Sequence, residues 1–243
     1  MGLSLEMLDP HGAVYGPEAG GDQAGVVILH GSEGPFAGWA HRFAAILAAQ
    51  GVLALPWAYG EGDYWGAGPI REVEIKGALD AVEALGAHPR CRGAGLFGWS
   101  KGGELALLIA SLVEDPATLP FVAAHAASDV VRGAFDPERM RAEGFGGGRD
   151  AGEARAWIWP GHEDRLAPGC PIEIARYRGP VFLSTGDADE IADPAMTLHM
   201  AADLERAGRP ADLFVAPGQG HAYDFGTEPE LWARLLKFVG RAV

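Results

Sequence analysis

The sequence of 243 residues predicts an α/β fold, with a mostly parallel central sheet and helices on both faces. Three observations carry that expectation. Short apolar, β-branched runs recur along the chain, most of them ending at a glycine or a small polar residue. Segments with helical apolar spacing separate them. The first such trio, "GVVILHG" (Gly25–Gly31), "AGWAHRFAAILAAQG" and "GVLALPWAY" (Gly51–Tyr59), has the spacing of a strand–helix–strand unit. That spacing implies parallel pairing through a right-handed crossover.

The remaining elements follow in order. "LSLEML" and "GAVYGP" at the start read as an antiparallel edge hairpin. "IREVEIKGALDAVEALG" (Ile70–Gly86) is an amphipathic helix, "GAGLFGWS" a strand, and "KGGELALLIASLVED" a helix. "PFVAAHAAS" (Pro120–Ser128), "GPVFLSTGD" (Gly179–Asp187) and "ADLFVAPG" (Ala211–Gly218) are strands. "PAMTLHMAADLERAG" and "PELWARLLKFVGRAV" are helices. From Asp129 to Arg178 the alternation fails, and the sequence supports a loop or small cap over the carboxyl edge of the sheet, with one helix at Pro137–Glu143. The whole, residues 1–243, is expected to form one domain carrying that insert.

Composition narrows the partners. The formal net charge is −14 and the 19 Lys and Arg residues are scattered, so nucleic acid and anionic membranes are not expected partners. The N-terminal stretch lacks the basic and apolar regions of a signal peptide, and no apolar run reaches membrane-spanning length. Two cysteines, Cys91 and Cys170, make neither a disulfide framework nor a zinc site. A cytoplasmic protein without metal or cofactor is the expectation; the oligomeric state is not legible.

The chemistry centres on "LFGWSKGG". Gly98-Trp99-Ser100-Lys101-Gly102 is a G-x-S-x-G motif between a predicted strand and a predicted helix. In that context the turn lifts a serine hydroxyl above the sheet edge, and small neighbours let strand and helix pass closely. The backbone N–H of Lys101 opens the helix, where it can donate to a developing oxyanion. A second donor is expected from "HGSEGP", with the N–H of Ser32 or Glu33 as candidates. Ser32 is also the rival nucleophile, but it lacks the strand–helix setting.

A serine needs a base, and the base an orienting acid. Of eight histidines, only His221 lies on a loop directly after a late strand, in "APGQGHAYDF". The acid is sought in "LSTGDADEIADP", which offers Asp187, Asp189, Glu190 and Asp193. Asp189 lies past the glycine on the loop, whereas Asp187 ends the strand and suits a turn brace or helix cap. Glu33, Trp99, Trp157 and Trp159 are candidate substrate contacts, with Trp57 and Trp65 also near predicted loops. Lys101, Arg71 and Arg149 are candidates for a basic patch that would admit an anionic substrate.

These motifs resemble the α/β-hydrolase superfamily in its dienelactone-hydrolase-like branch. "HGSEGP", "GVLALPWAYGEGD", "GLFGWSKGGELALLIAS" and "PIEIARYRGPVFLSTGDADEI" resemble the catalytic C-terminal domain of the acyl-CoA thioester hydrolase and bile-acid-CoA:amino-acid N-acyltransferase family. "PGQGHAYDF" resembles the Pro-Gly-x-Gly-His run that carries the catalytic histidine of dienelactone hydrolases. Those enzymes use cysteine at the elbow, where this chain has Ser100. The resemblance implies Ser100 as nucleophile, Asp189 as acid and His221 as base, acting without a cofactor on a small-molecule ester or thioester. An acyltransferase using the same acyl-enzyme and a non-catalytic binder on a hydrolase scaffold are the alternatives.

Overall fold

The computed structural model describes residues 2–36, 38–63, 66–144 and 154–243. Trp65 and Arg149, both singled out above, lie outside the described residues.

The chain opens with β1 (Leu3–Leu8) and β2 (Gly12–Pro17), which pair antiparallel as the edge hairpin. β3 (Gln23–Leu29), α1 (Trp39–Ala49) and β4 (Leu53–Trp57) form the first strand–helix–strand unit. α2 (Lys76–Gly86), β5 (Cys91–Trp99), α3 (Lys101–Val113) and β6 (Val122–His125) follow. After α4 (Pro137–Glu143) come β7 (Val181–Gly186), α5 (Pro194–Arg206), β8 (Asp212–Ala216) and α6 (Glu228–Ala242). The sheet order is β1-β2-β4-β3-β5-β6-β7-β8. From β4 to β8 every pairing is parallel.

Alternation along the strands builds two cores. Val27, Leu29, Leu53, Leu55 and Leu96 point to one face, where they meet α2, α3 and α5. Val26, Ile28, Ala54 and Phe97 point to the other, beneath α1 and α6. Strands buried on both faces read as unbroken apolar runs, which is why they were legible.

Two differences from the sequence expectation have physical causes. The helix expected from Ile70 begins at Lys76. Ile70 instead exchanges backbone hydrogen bonds with Phe135, and Val73–Glu74 pair in parallel with Trp157–Ile158, so this stretch is spent on the insert. The insert itself is more than a surface loop. Val131, Phe135, Trp157, Leu166, Ile172, Ile174 and Tyr177 are all buried in the core on the α3 face. Its helix α4 starts where expected, with Pro137 in the first turn and the Asp136 carboxylate accepting from the N–H groups of Glu138 (2.9 Å) and Arg139 (3.2 Å). Among the described residues no helix is long and apolar enough to cross a membrane.

Candidate active site

The carboxyl ends of β3, β5, β7 and β8 carry the loops of interest. At the end of β5 the chain turns through Ser100, whose φ of 54° and ψ of −116° lie outside the regions ordinary residues favour. A strained residue of this kind costs about 1–3 kcal/mol and persists only when its surroundings dictate it. They do so here. A Cβ at Gly98 would overlap the carbonyl of Gly102, and one at Gly102 would overlap the carbonyl of Leu29. The glycines therefore exist to let β5, α3 and β3 cross at backbone contact. The Ser100 N–H donates to the His125 carbonyl (2.9 Å), tying the turn to β6.

His221 follows β8. Its Nδ1 lies 2.8 Å from Oδ2 of Asp189, which follows β7. The Asp189 carboxylate is buried and also accepts from the N–H groups of Ile191 (2.8 Å) and Ala192 (2.9 Å). Burial works to raise the pKa of Asp189, but the hydrogen bond from His221 and those two N–H groups outweigh it and hold the carboxyl below its usual range. An acceptor-only carboxylate requires Nδ1 of His221 to carry the proton, leaving Nε2 as the acceptor of the neutral ring. Asp187 has a different place: its Oδ1 accepts from the N–H of Gly218 (2.6 Å) and so braces the loop that carries His221.

Two buried histidines fix the neighbouring loops. Nε2 of His125 meets the His221 carbonyl at 3.0 Å and must donate to it, so Nδ1 accepts from the Ser184 hydroxyl at 2.9 Å. Burial drives the pKa of His125 down to about 3. His30 ends the β3 run; its Nδ1 donates to the Gly31 carbonyl (2.8 Å), its Nε2 accepts from Gly60 N–H (3.2 Å), and burial lowers its pKa to about 4. Its ring stacks on Tyr59 at 3.9 Å between centroids.

In the loop after β3, the Glu33 carboxylate folds back to accept from the N–H of Gly31 (2.8 Å) and from its own N–H. Burial raises the pKa of Glu33, and the nearby His221 opposes that rise. With the Gly31 and Glu33 N–H groups both turned to this carboxylate, Ser32 is the loop residue left to supply a donor. Two cavities flank Ser100. One of about 410 Å³ is lined by Ser32, Glu33, Trp39, Trp99, Met140 and His221, among others. The other, of about 50 Å³, is lined by Ser32, Lys101, Ser128, Arg132, Phe135 and Met196, among others, and lacks His221.

The sequence candidates thus separate. Ser100, Asp189, His221, Ser32, Glu33 and Trp99 gather at one sheet edge. Trp157 and Trp159 do not join them. Trp157 is fully buried beneath α3, its indole N–H donating to Oε1 of Glu104 (2.8 Å), and Trp159 packs against His162 at 4.8 Å between ring centroids. Trp57 and the exposed Arg71 line a separate cavity. Lys101 forms no open basic patch: its ammonium is buried against both oxygens of Glu104 (3.0 and 3.1 Å). Trp39 and Arg132 were not singled out from sequence. Trp39 sits in a segment that reads as an ordinary amphipathic helix, and Arg132 in the stretch without periodicity. Among the described residues no group of three or more His, Cys, Asp or Glu side chains is arranged to hold a metal.

The sheet order and the strand–serine–helix turn define an α/β hydrolase of dienelactone-hydrolase-like fold. Within that class the chain belongs to the prolyl oligopeptidase family, whose model matches residues 66–243. No curated protein matches it. A protein assigned to the dienelactone hydrolases from Klebsiella pneumoniae superposes with a TM-score of 0.67 at 17% identity, over 98% of each chain. A puromycin-hydrolyzing peptidase of Mycobacterium tuberculosis superposes with a TM-score of 0.71 at 19% identity; the match covers 99% of this chain but 39% of the peptidase. A dienelactone hydrolase-like promiscuous phosphotriesterase from metagenomic libraries gives 0.62 at 14% identity, over 99% of this chain and 97% of the other. At these identities the likeness speaks to fold, and the substrate is left to the chemistry of the site.

Proposed function

We propose that this hydrolase is a serine enzyme that cleaves carboxylic esters or thioesters through an acyl-enzyme on Ser100. In this reading Nε2 of His221 takes the Ser100 proton as the hydroxyl attacks the acyl carbon. The same proton then goes to the leaving oxygen or sulfur. Asp189 holds the imidazole in the required tautomer and balances the imidazolium. The N–H groups of Lys101 and Ser32 receive the oxyanion. Water, activated by His221, then attacks the acyl-enzyme and releases the acid. The observation that carries the reading is the buried 2.8 Å Asp189–His221 hydrogen bond at the same cleft as a strained serine.

The aromatic cavity on the His221 side suits an apolar leaving group, which favours esters and thioesters. The family match favours amide substrates as a second reading. We read the chain as one hydrolase domain acting on a small molecule. Its two free cysteines, Cys91 and Cys170, fit a reducing compartment.

The test compares wild type with Ser100→Ala on p-nitrophenyl esters, acyl thioesters and peptide p-nitroanilides, with fluorophosphonate labelling beside it. Loss of a triad nucleophile is expected to lower kcat by about 10⁴ or more and to abolish labelling. Retention of a tenth of the ester activity by Ser100→Ala would overturn the assignment. Faster cleavage of anilides than of esters, relative to their uncatalysed rates, would transfer the reading to peptides.

A further inference from the structure

The small cavity beside Ser100 is lined by a guanidinium, that of Arg132, with which no carboxylate among the described residues pairs. The guanidinium of Arg132 spans two cavity-lining residues: Nε donates to the Ser128 hydroxyl (3.0 Å) and Nη2 rests on the Met196 sulfur (3.4 Å). The neighbouring acids are committed elsewhere. Glu104 takes Lys101, the indole of Trp157 and the backbone N–H of Arg132 itself. Asp189 takes His221 and two backbone N–H groups. Asp129 takes His199. Among the described residues, none forms an ion pair with the guanidinium of Arg132.

Which part of a substrate would meet this cation follows from the proton path, and so rests on the acyl-enzyme reading above. His221 must deliver its proton to the leaving group. The leaving group therefore occupies the larger cavity, which His221 lines. The acyl chain extends to the other side of Ser100, into the cavity of about 50 Å³ that His221 does not line. That volume holds a few water-sized groups, which limits the acyl part to a short chain. Its walls are apolar at Ala126, Phe135 and Met196 and polar at Ser128, Arg132 and the ion pair of Lys101 with Glu104, in which the lysine offsets the glutamate's charge.

We infer that Arg132 forms a carboxylate-binding subsite, and that the enzyme acts on esters or thioesters of short dicarboxylic acids, with the free carboxylate on the acyl side. A guanidinium already oriented by Ser128 presents a fork of donors, and a carboxylate matches it with two parallel hydrogen bonds. A partly buried cation beside apolar walls also attracts an anion locally, whatever the net charge of the chain.

The experiment uses p-nitrophenyl hydrogen fumarate and p-nitrophenyl crotonate, acyl groups of equal carbon count. The trans double bond keeps the carboxylate from attacking its own ester. Each kcat/KM is divided by the uncatalysed rate of the same ester. Wild type is expected to favour the fumarate by at least tenfold. Arg132→Gln should bring that ratio near one, and Arg132→Lys, which keeps the charge and loses the fork, should fall between. Because each variant is judged by a ratio, a partial loss of folded protein cancels. Equal normalised rates in wild type, or an undiminished ratio in Arg132→Gln, would overturn the subsite while leaving the serine mechanism intact. Hydrolysis of neither ester in a Ser100-dependent manner would overturn the acyl-enzyme reading and the subsite with it.

Discussion

Replacing Glu104 by Gln tests how the elbow helix holds the insert. Lys101 and Glu104 form an ion pair whose side chains are 7% and 2% exposed, so solvent does little to screen it. The ammonium also donates to the carbonyls of Arg132 (3.1 Å) and Gly133 (3.2 Å). Glu104 accepts from the N–H of Arg132 (3.0 Å) and from the indole of Trp157. Glutamine keeps the shape and one acceptor but removes the negative charge that both Glu104 oxygens present to the buried ammonium. Breaking a buried pair from one side costs about 3–5 kcal/mol. An ordinary lysine gives up its proton at pH 7 for about 4.6 kcal/mol, so deprotonation caps the loss near the top of that range. An unfolding entropy of about 2.1 cal/mol/K per residue amounts to about 0.5 kcal/mol/K for this chain, and the expected fall in Tm is about 6–10 °C. Calorimetry on Glu104→Gln, Lys101→Met and the double variant gives the full cycle. The double variant should recover part of the loss, since it buries no unpaired charge. A fall below 2 °C in Glu104→Gln, or strict additivity in the cycle, would refute the reasoning.

Three further outcomes are expected. Asp189→Asn should damage kcat far more than Asp187→Asn, because an amide presents a donor to Nδ1 and favours the wrong tautomer; Asp187→Asn should instead lower Tm, at about 1 kcal/mol for a lost loop bond. The reverse pattern, read from kcat and melting curves, would exchange their roles. Stability should fall as pH drops below about 6.5, because the unfolded imidazoles of His30 and His125 take up protons that the folded rings refuse until pH is near 4 and 3. Each contributes at most about 1.4 kcal/mol per pH unit in that window, and flat denaturant midpoints from pH 7 to 5 would contradict it. Gly98→Ala should abolish fluorophosphonate labelling or leave the protein insoluble, since its Cβ would strike the Gly102 backbone; a soluble, fully labelled variant would show that the crossing can relax.

The parts of the candidate site that were legible in sequence are those fixed by short-range geometry. Gly98, Ser100 and Gly102 lie within five residues, and the backbone crossing they permit excludes any side chain there. Asp189 and His221 sit just past their strands, so the end of an apolar run marks each position. Arg132 had no such marker. It becomes a cavity wall only because Ser128 and Met196 orient it and Glu104 binds its N–H. Trp157 misled for the same reason in reverse. A tryptophan amid prolines and glycines reads as a loop residue, but its indole N–H finds Glu104, 53 positions away, and its segment pairs with Val73–Glu74. Periodicity reports which elements form; it carries no information on which polar side chains meet across the insert.

The placement of His30 and His125 bears on how a −14 chain holds a basic histidine at its centre. Each ring lies one step behind a loop of the proposed site: His30 behind the one carrying Ser32, His125 behind the one carrying His221. Each donates from one nitrogen and accepts at the other, so neither can gain a proton without losing an acceptor bond. Burial adds to that refusal. A cation at His125 would also oppose any charge on His221, whose carbonyl it holds. Asparagine could supply a donor and an acceptor at either position, but not the flat ring that packs against Tyr59 or Trp99 at 3.9 Å. Two neutral imidazoles thus serve as rigid polar spacers.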